Sequence, residues 1–531
     1  MSAPDQTAPG QAAPGQTAPE QAAGGRPAEA GPAAPGHTAA PEEFEVLRDH
    51  VMSCSKCGFC QPSCPIFRAT GREAFVARGK VALYRNILED HLEIGPAEKE
   101  AFSNCLLCRA CADNCFPGIK TDDVVVSFRH AYGERFGRAF LQRWVFRRLL
   151  PRPRLMRALV RFVWAFRRTG LVELARRIGL VGMLNPKLER ALELGAGKPG
   201  ALLTSRLRKR RGPSADSESA APLGPAPQGG AVSSSAVSAP QGGAAAGSGA
   251  DRPTVGYWIS CGYNYVLPEV GEATVRVLER MGYDVEVLDN CCCGLAAYGY
   301  GDTEAAAKLA RENLRRLGDV SRFEAIVSEC GSCSGHLKDY PHLLAGDSEW
   351  SSRAEALVEK MRSFSEFVVE RGGLEVLASA ERPDIGGTSA GAGATVAGVA
   401  AGAEATGPGA APQAAVPGLV VTYHDPCHLG RRYQKVVDQP REILKSLPGV
   451  EFREMDECDS CCGAAGTYGI LHPETSGAII DRKMGFAGAT GASVVATECP
   501  ACMMQLRYGA ERAGLPVSVL NVSQLCDRAG S

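Results

Sequence analysis

The chain has 531 residues, room for two to four domains, and a net charge of −1 that gives no global case for nucleic acid as a partner. Twenty-one cysteines on a chain of this length exclude a small secreted disulfide scaffold. The opening MSAPDQTAPGQ carries neither a basic nor an apolar leader region, and no apolar run is long enough to span a membrane. A reducing cytoplasm is therefore expected, where grouped cysteines hold metal or do redox work.

Residues 1–41 are rich in Ala, Pro, Gly and Gln and crudely repetitive (TAPGQ, AAPGQ, TAPEQ), and read as a disordered tail. Residues 212–252 and 384–417 have similar low-complexity composition and read as disordered linkers. These segments leave a cysteine-rich region at 42–130, a basic helical segment at 131–211, and two modules at 253–383 and 418–531.

In the first region, residues 54–65 read CSKCGFCQPSCP, or C-x2-C-x2-C-x3-C-P. Residues 105–117 read CLLCRACADNCFP, the same spacing with Pro117 one place later. This is the spacing of bacterial two-cluster ferredoxins, in which three close cysteines wrap one cubane and the fourth crosses to the other. It predicts two [4Fe-4S] clusters, one on Cys54, Cys57, Cys60 and Cys115 and one on Cys105, Cys108, Cys111 and Cys64. Zinc is the alternative, but zinc ribbons use separated CxxC pairs rather than runs of four.

Residues 135–168 contain eleven arginines and no Asp or Glu. Leu155, Leu159, Phe162 and Phe166 recur at helical spacing, with Arg154, Arg157, Arg161 and Arg168 between them. Such a helix suits an anionic membrane surface or a docking partner, placing the protein on the inner face of the cell membrane. Alternatively, it packs on the protein's own modules with a solvated basic face. The basic run RLRKRR (206–211) follows.

The two modules read as strand–helix alternations. In the first, TVGYWIS, YDVEVL and FEAIVS are predicted strands, with helices at 267–281 and 303–317. In the second, GLVVTYH, VEFREM and ASVVAT are strands, with helices near 438–447 and 474–488. Short β-rich runs between helices of this length indicate parallel α/β units. Cys261 and Cys427 follow the first strand of each module, Cys292-Cys293-Gly294 and Cys461-Cys462-Gly463 the second, and Cys330/Cys333 and Cys499/Cys502 the third. Cys330 lies 37 residues after Cys293, and Cys499 37 after Cys462, so the modules are an internal duplication. All these cysteines fall beyond strand C-termini, where open α/β sheets place ligands.

Five cysteines at repeated positions argue against simple core packing. Zinc needs four donors and leaves one over, and a vicinal disulfide is strained. A cluster held by all five thiolates accommodates the set if the adjacent pair reaches different irons, and the glycine after it permits the tight turn. Cys291, Cys458 and Cys526 fall outside the pattern; the first two lie beside a site as a spare ligand, a redox thiol or a bystander. His424 and His428 flank Cys427, either hydrogen-bonding a thiolate or packing at the strand end.

The pattern C…CCG…CxxC, present twice behind a two-cluster ferredoxin region, resembles the cysteine-rich-domain family. That family includes heterodisulfide reductase catalytic subunits, the glycolate oxidase iron–sulfur subunit and the lactate-utilisation iron–sulfur protein. HDPCHLGR (424–431), CCGAAGTYG (461–469) and RGKVALYRNIL (78–88) are particularly similar to the glycolate oxidase subunit. The resemblance implies noncubane [4Fe-4S] sites at Cys261, Cys292, Cys293, Cys330 and Cys333, and at Cys427, Cys461, Cys462, Cys499 and Cys502. It implies an electron-transfer subunit serving a flavoprotein 2-hydroxyacid dehydrogenase and passing electrons to quinone or another acceptor, with a membrane cytochrome as a further partner. Two complete motifs keep disulfide reduction open as the alternative. No GxGxxG after a strand, P-loop or hydrolase motif occurs, so neither flavin nor nicotinamide is expected on this chain. The expected fold is α+β and multidomain: a helical two-[4Fe-4S] ferredoxin-like domain, then two duplicated α/β cysteine-rich modules, with disordered linkers.

Overall fold

The computed structural model describes residues 42–179, 181, 183, 186–194, 201–211, 252–378 and 418–529. The segments read as disordered lie outside the described residues, apart from Arg252 at the edge of the second.

Residues 42–136 are helical. Helix α1 (Ala77–Leu88) buries Val81, Tyr84, Ile87 and Leu88 along one face. It packs against α2 (Thr121–Phe136), which buries Val124, Val125 and Phe128. Stacked rings join the core, Phe44 on Tyr84 at 4.2 Å and Phe102 on Phe128 at 3.8 Å between centroids. The cysteine loops lie around this small core rather than inside it.

The basic stretch is broken into separate helical pieces, and the helical spacing read at Leu155, Leu159, Phe162 and Phe166 falls within one of them. Gly137 takes a left-handed φ of 78° and ends α2. A short helix (Phe140–Trp144) then passes into a π-helical turn (Val145–Leu149). Phe146 and Leu149 are buried there, and Phe146 packs on Ala297, Ala305, Ala306 and Leu309 of the first module. Arg147 reaches the fully buried Asp302 at 3.1 Å. Helix α3 (Pro153–Arg168) starts on a proline, whose missing N–H costs nothing at a first turn, and buries none of its residues. The two halves differ: the first packs on the protein, and α3 leaves Leu155, Leu159, Phe162 and Phe166 exposed. Among the described residues no helix is long and apolar enough to cross a membrane.

Each module is a four-stranded parallel sheet. In the first, β1 (Thr254–Tyr257), α4 (Pro268–Arg280), β2 (Asp284–Val287), α5 (Thr303–Leu317), β3 (Ala325–Ser328), β4 (Met361–Ser363) and α6 (Phe364–Glu370) follow in order. In the second, β5 (Leu419–Tyr423), α7 (Asp438–Ser446), β6 (Val450–Phe452), α8 (Pro473–Ala489), β7 (Val494–Ala496), α9 (Pro500–Ala513), β8 (Ser518–Leu520) and α10 (Val522–Ala529) do the same. The strand orders are β2-β1-β3-β4 and β6-β5-β7-β8. Val255 lies opposite Val285 on one side and Ala325 on the other. The central strands read as continuous apolar runs because helices cover both faces.

The repeats pack on each other around an approximate two-fold axis. Helices α4 and α7 each follow the first strand of their module, and α6 and α10 the fourth. The contacts are the exchanged ones, α4 with α10 and α6 with α7. Arg276 on α4 donates to Asp527 on α10 at 2.9 Å, and Arg280 donates to the Cys526 carbonyl at 2.7 Å. One buried core runs through both sheets and contains Trp258, Tyr263, Cys293, Cys330, Cys333, Cys462, Cys499, Cys502 and Met503.

Candidate metal centres

In the helical region the cysteines line two adjacent cavities. Cys54, Cys57, Cys60 and Cys115 bound one. Cys64, Cys105, Cys108 and Cys111 bound the other, and Cys111 also reaches the wall of the first. The loops share a backbone device. Residues flanking the second cysteine are left-handed in both: Lys56 (φ 55°) and Gly58 (φ 88°), then Leu107 (φ 54°) and Arg109 (φ 59°). Such turns aim successive N–H groups inward as an anion-binding nest. Leu107 and Arg109 pay a steric cost of about 1–2 kcal/mol each for this geometry. Four soft thiols per cavity and inward amides fit two anionic clusters.

Lys80, fully buried on α1, lies in the second cavity and donates to the Phe75 carbonyl. Burial pulls its ammonium pKa down, while Cys105, Cys64 and Cys111 act to hold its charge. Burial pushes the Cys64 thiol up to about 11. Lys80 sits inside the quoted RGKVALYRNIL stretch, but nothing in the sequence marked it as facing the cysteines.

Each predicted set of five cysteines comes together. In the first module thiol contacts run Cys261–Cys292–Cys293–Cys333–Cys330. In the second they run Cys427–Cys461–Cys462–Cys502–Cys499. The two rows join where Cys330 meets Cys499. At the far end Cys461 meets Cys108 of the helical region. Cys293 is held low by hydrogen bonds from Cys292 and Cys333, and Cys462 by those from Cys461 and Cys502. The glycines after the pairs take φ of 102° (Gly294) and 84° (Gly463), the tight turn that the sequence implied. Cys261 and Cys292 border a cavity also walled by Pro153, Met156 and Arg157 of the basic segment.

Arginines and an aspartate stand beside the second row. Arg432 faces Cys108, Cys461 and Cys427, which help raise its pKa against the opposing effect of burial. It donates to Asp459 at 3.1 Å, while its Nε and Nη1 are buried without a partner. Arg441 grips Asp425, two residues before Cys427, at 2.8 and 3.0 Å. The same arginine donates to Cys458 Sγ at 3.4 Å, which gives that cysteine a partner outside the row. Cys291 is buried beside Cys292, and Cys526 is buried in α10. His428 lies 3.6 Å from the Cys427 sulfur through Nδ1. His424 is buried with both ring nitrogens unpartnered, and burial drives its pKa down to about 3. The unpartnered nitrogens at His424, Arg432 and Trp258 fit a bound group with acceptor or metal character, as buried polar groups otherwise pair.

Comparison with known proteins agrees with this geometry. Residues 255–338 and 421–507 match the family described as "Cysteine-rich domain", and residues 50–119 the "4Fe-4S dicluster domain". The chain carries two cysteine-rich domains behind a 4Fe-4S dicluster domain. Residues 137–194 match "Glycolate oxidase iron-sulfur subunit, linker region", which covers the broken basic segment and α3. The chain is 29% identical over 486 residues to the "Probable glycolate oxidase iron-sulfur subunit" of Bacillus subtilis (strain 168), covering 89% of this chain and 92% of that one. It is 29% identical over 272 residues to "Lactate utilization protein A" of Oceanobacillus iheyensis, covering 51% of this chain and 95% of that one. A solved structure titled "Crystal structure of a hypothetical protein from Helicobacter pylori" aligns at a TM-score of 0.34 and 10% identity over 52% of this chain and 48% of that one. A likeness of that size carries no argument. The dicluster domain and the cysteine-rich domains make this an iron–sulfur protein similar to glycolate oxidase iron–sulfur subunits.

Proposed function

We propose that the chain is the electron-transfer subunit of a complex in which a separate flavoprotein oxidises a 2-hydroxyacid such as glycolate or lactate. The observation that carries this reading is the unbroken succession of thiols. It leads from the dicluster cavities through Cys108 and Cys461 into the second cysteine-rich domain, and through Cys499 and Cys330 into the first. Clusters bound along it supply one-electron carriers. The chain's own residues hold those carriers in series and set their surroundings with Lys80 and Arg432, and burial at Cys293, Cys330, Cys462, Cys499 and Cys502 excludes water from the middle of the row. Electrons leave toward quinone or another acceptor. The flavoprotein is the electron donor, and α3 provides a face for the membrane surface or for a membrane cytochrome.

The ligand sets are those given by spacing and resemblance: Cys54, Cys57, Cys60 and Cys115; Cys64, Cys105, Cys108 and Cys111; and the two sets of five. With four clusters the anaerobically purified chain holds about 16 iron and little zinc. About 8 iron with zinc would confine redox chemistry to the dicluster domain. The functional test is hydroxyacid-dependent reduction of a dye or quinone by the chain together with its flavoprotein. Cys461→Ser should abolish it while leaving the dicluster signals. No turnover by the fully loaded wild-type pair refutes the reading.

A second reading is disulfide reduction at noncubane clusters. Both five-cysteine sets are complete, and they face each other at Cys330 and Cys499, which favours it. Turnover of a low-molecular-weight disulfide with reduced viologen would establish it, and none by a fully iron-loaded protein would remove it.

A further inference from the structure

The duplication is not exact at the end of the first strand. Trp258 follows Tyr257 in the first domain, and His424 follows Tyr423 in the second. Both side chains are buried, and neither has a partner for its ring nitrogens. They differ in what they can do. An indole N–H only donates, whereas a neutral imidazole offers a lone pair to a metal.

His424 is placed to use it. One of its ring nitrogens and the sulfurs of Cys462 and Cys502 all lie within 4.8 Å of one another. The two sulfurs are 3.6 Å apart. Two thiolates on one tetrahedral metal, at bond lengths of about 2.3 Å, stand roughly 3.7 Å from each other, so this spacing suits a single metal atom. A ring nitrogen completes three donors around the same point. The imidazole forms no hydrogen bond of ordinary geometry, although the backbone of Cys458 is close enough to act on it electrostatically. A carbonyl there can orient the ring through one nitrogen and leave the other for the metal, as ligating histidines commonly require.

We propose that His424 is a direct ligand of the metal centre of the second cysteine-rich domain, sharing a metal atom with Cys462 and Cys502. The two duplicated sites then differ in kind: the first has thiolates alone, and the second has thiolates and one imidazole. A neutral imidazole donates less negative charge to a metal than a thiolate does, so the two duplicated centres are no longer electronically equivalent. The inference rests on a metal centre being present in this domain, not on which substrate the complex oxidises.

The test uses the full chain, purified anaerobically and assayed for iron and zinc, in natural-abundance form and grown with 15N-histidine. Pulsed EPR of the dithionite-reduced protein should show a directly coupled 14N nucleus that changes to 15N with labelling. If zinc fills this site, zinc-edge absorption should show an imidazole shell instead. His424→Trp installs the residue that the first domain uses at the same place, and His424→Gln keeps a polar group; both should fold and lose the coupling or the shell. Should both fail to fold, His428→Asn, which leaves His424 in place, must retain it. The proposal is overturned if a chain with full metal content shows no histidine nitrogen, if the signal survives His424→Trp, or if His428→Asn removes it. Metal absent from the second domain alone, with the rest loaded, also overturns it and leaves the electron-transfer reading to its own assay.

Discussion

Lys80 is a buried cation among the thiols of the second dicluster cavity, and its charge bears directly on whatever sits there. A cluster bound by four thiolates is anionic, and a nearby positive charge favours its reduced form. Lys80→Met keeps the volume and removes the charge. The potential of that centre should fall by tens of millivolts in an EPR-monitored titration, on a scale where about 59 mV is tenfold for one electron. The neighbouring centre should move less. Gly463 makes a different kind of demand. Its φ is 84°, and an added Cβ would stand 3.2 Å from Ile479 side-chain carbons. Gly463→Ala should cost about 1–3 kcal/mol, read as a lower thermal midpoint together with loss of iron from the second cysteine-rich domain. Neither role was equally visible beforehand. A glycine after adjacent cysteines announces a turn, whereas a lysine facing metal ligands is known only once α1 has been rolled onto its core. His424 was noticed as a neighbour of Cys427, but its company with Cys462 and Cys502 needs three chain segments to converge.

At the scale of elements, the strands of both repeats were legible because buried parallel strands leave short apolar runs between helical patterns. The strands β4 and β8 were not: MRS offers a single apolar residue, and SVL follows closely on Pro516. The basic stretch was legible in composition and not in conformation. Its apolar positions continue a helical spacing, yet Gly137 and the prolines at 151 and 153 interrupt the backbone, and Phe146 finds a berth on the first domain. What remains outward is α3, with Phe162 70% exposed and Phe166 49% exposed beside the arginines. An exposed apolar stripe with a basic border suits an anionic lipid surface. The chain should therefore bind phosphatidylserine vesicles in sedimentation, more weakly as salt rises. Phe162→Ser with Phe166→Ser should weaken this by roughly tenfold or more, since each phenylalanine contributes on the order of 1.5–3 kcal/mol when fully buried. Vesicle binding unaffected by the double substitution would move the membrane contact elsewhere.

At the scale of the whole molecule, the dicluster domain meets the first cysteine-rich domain through a patch of acids. Asp339 lies close to Asp122 and Asp123, with Arg109 opposing them; burial first, and the two carboxylates after it, raise its pKa to about 6. The folded state therefore holds this proton to a higher pH than the unfolded chain, whose carboxyl ionises near 3.8. Stability falls as pH rises from about 4 to about 6 and is flat above, with a total on the order of 3 kcal/mol. Asp339→Asn removes the dependence. Its thermal midpoint should exceed that of the wild type at pH 7.5, and the gap should narrow below pH 6. The duplication told that two domains exist; it did not tell that they would share one core, because a repeat specifies its own sheet and leaves the face it turns to its twin to be settled by packing.

The succession of sulfurs also has a bearing on how such a protein must be made. Ten thiols stand in contact from Cys261 to Cys427, crossing between domains at Cys330 and Cys499. Molecular oxygen can take two electrons and two protons from any neighbouring pair and leave a disulfide. A bond between Cys330 and Cys499 would staple the two halves together with both sites spoiled. Maturation of this chain is therefore a race between iron delivery and air, and protein produced aerobically should refill poorly unless a reductant first reopens those bonds.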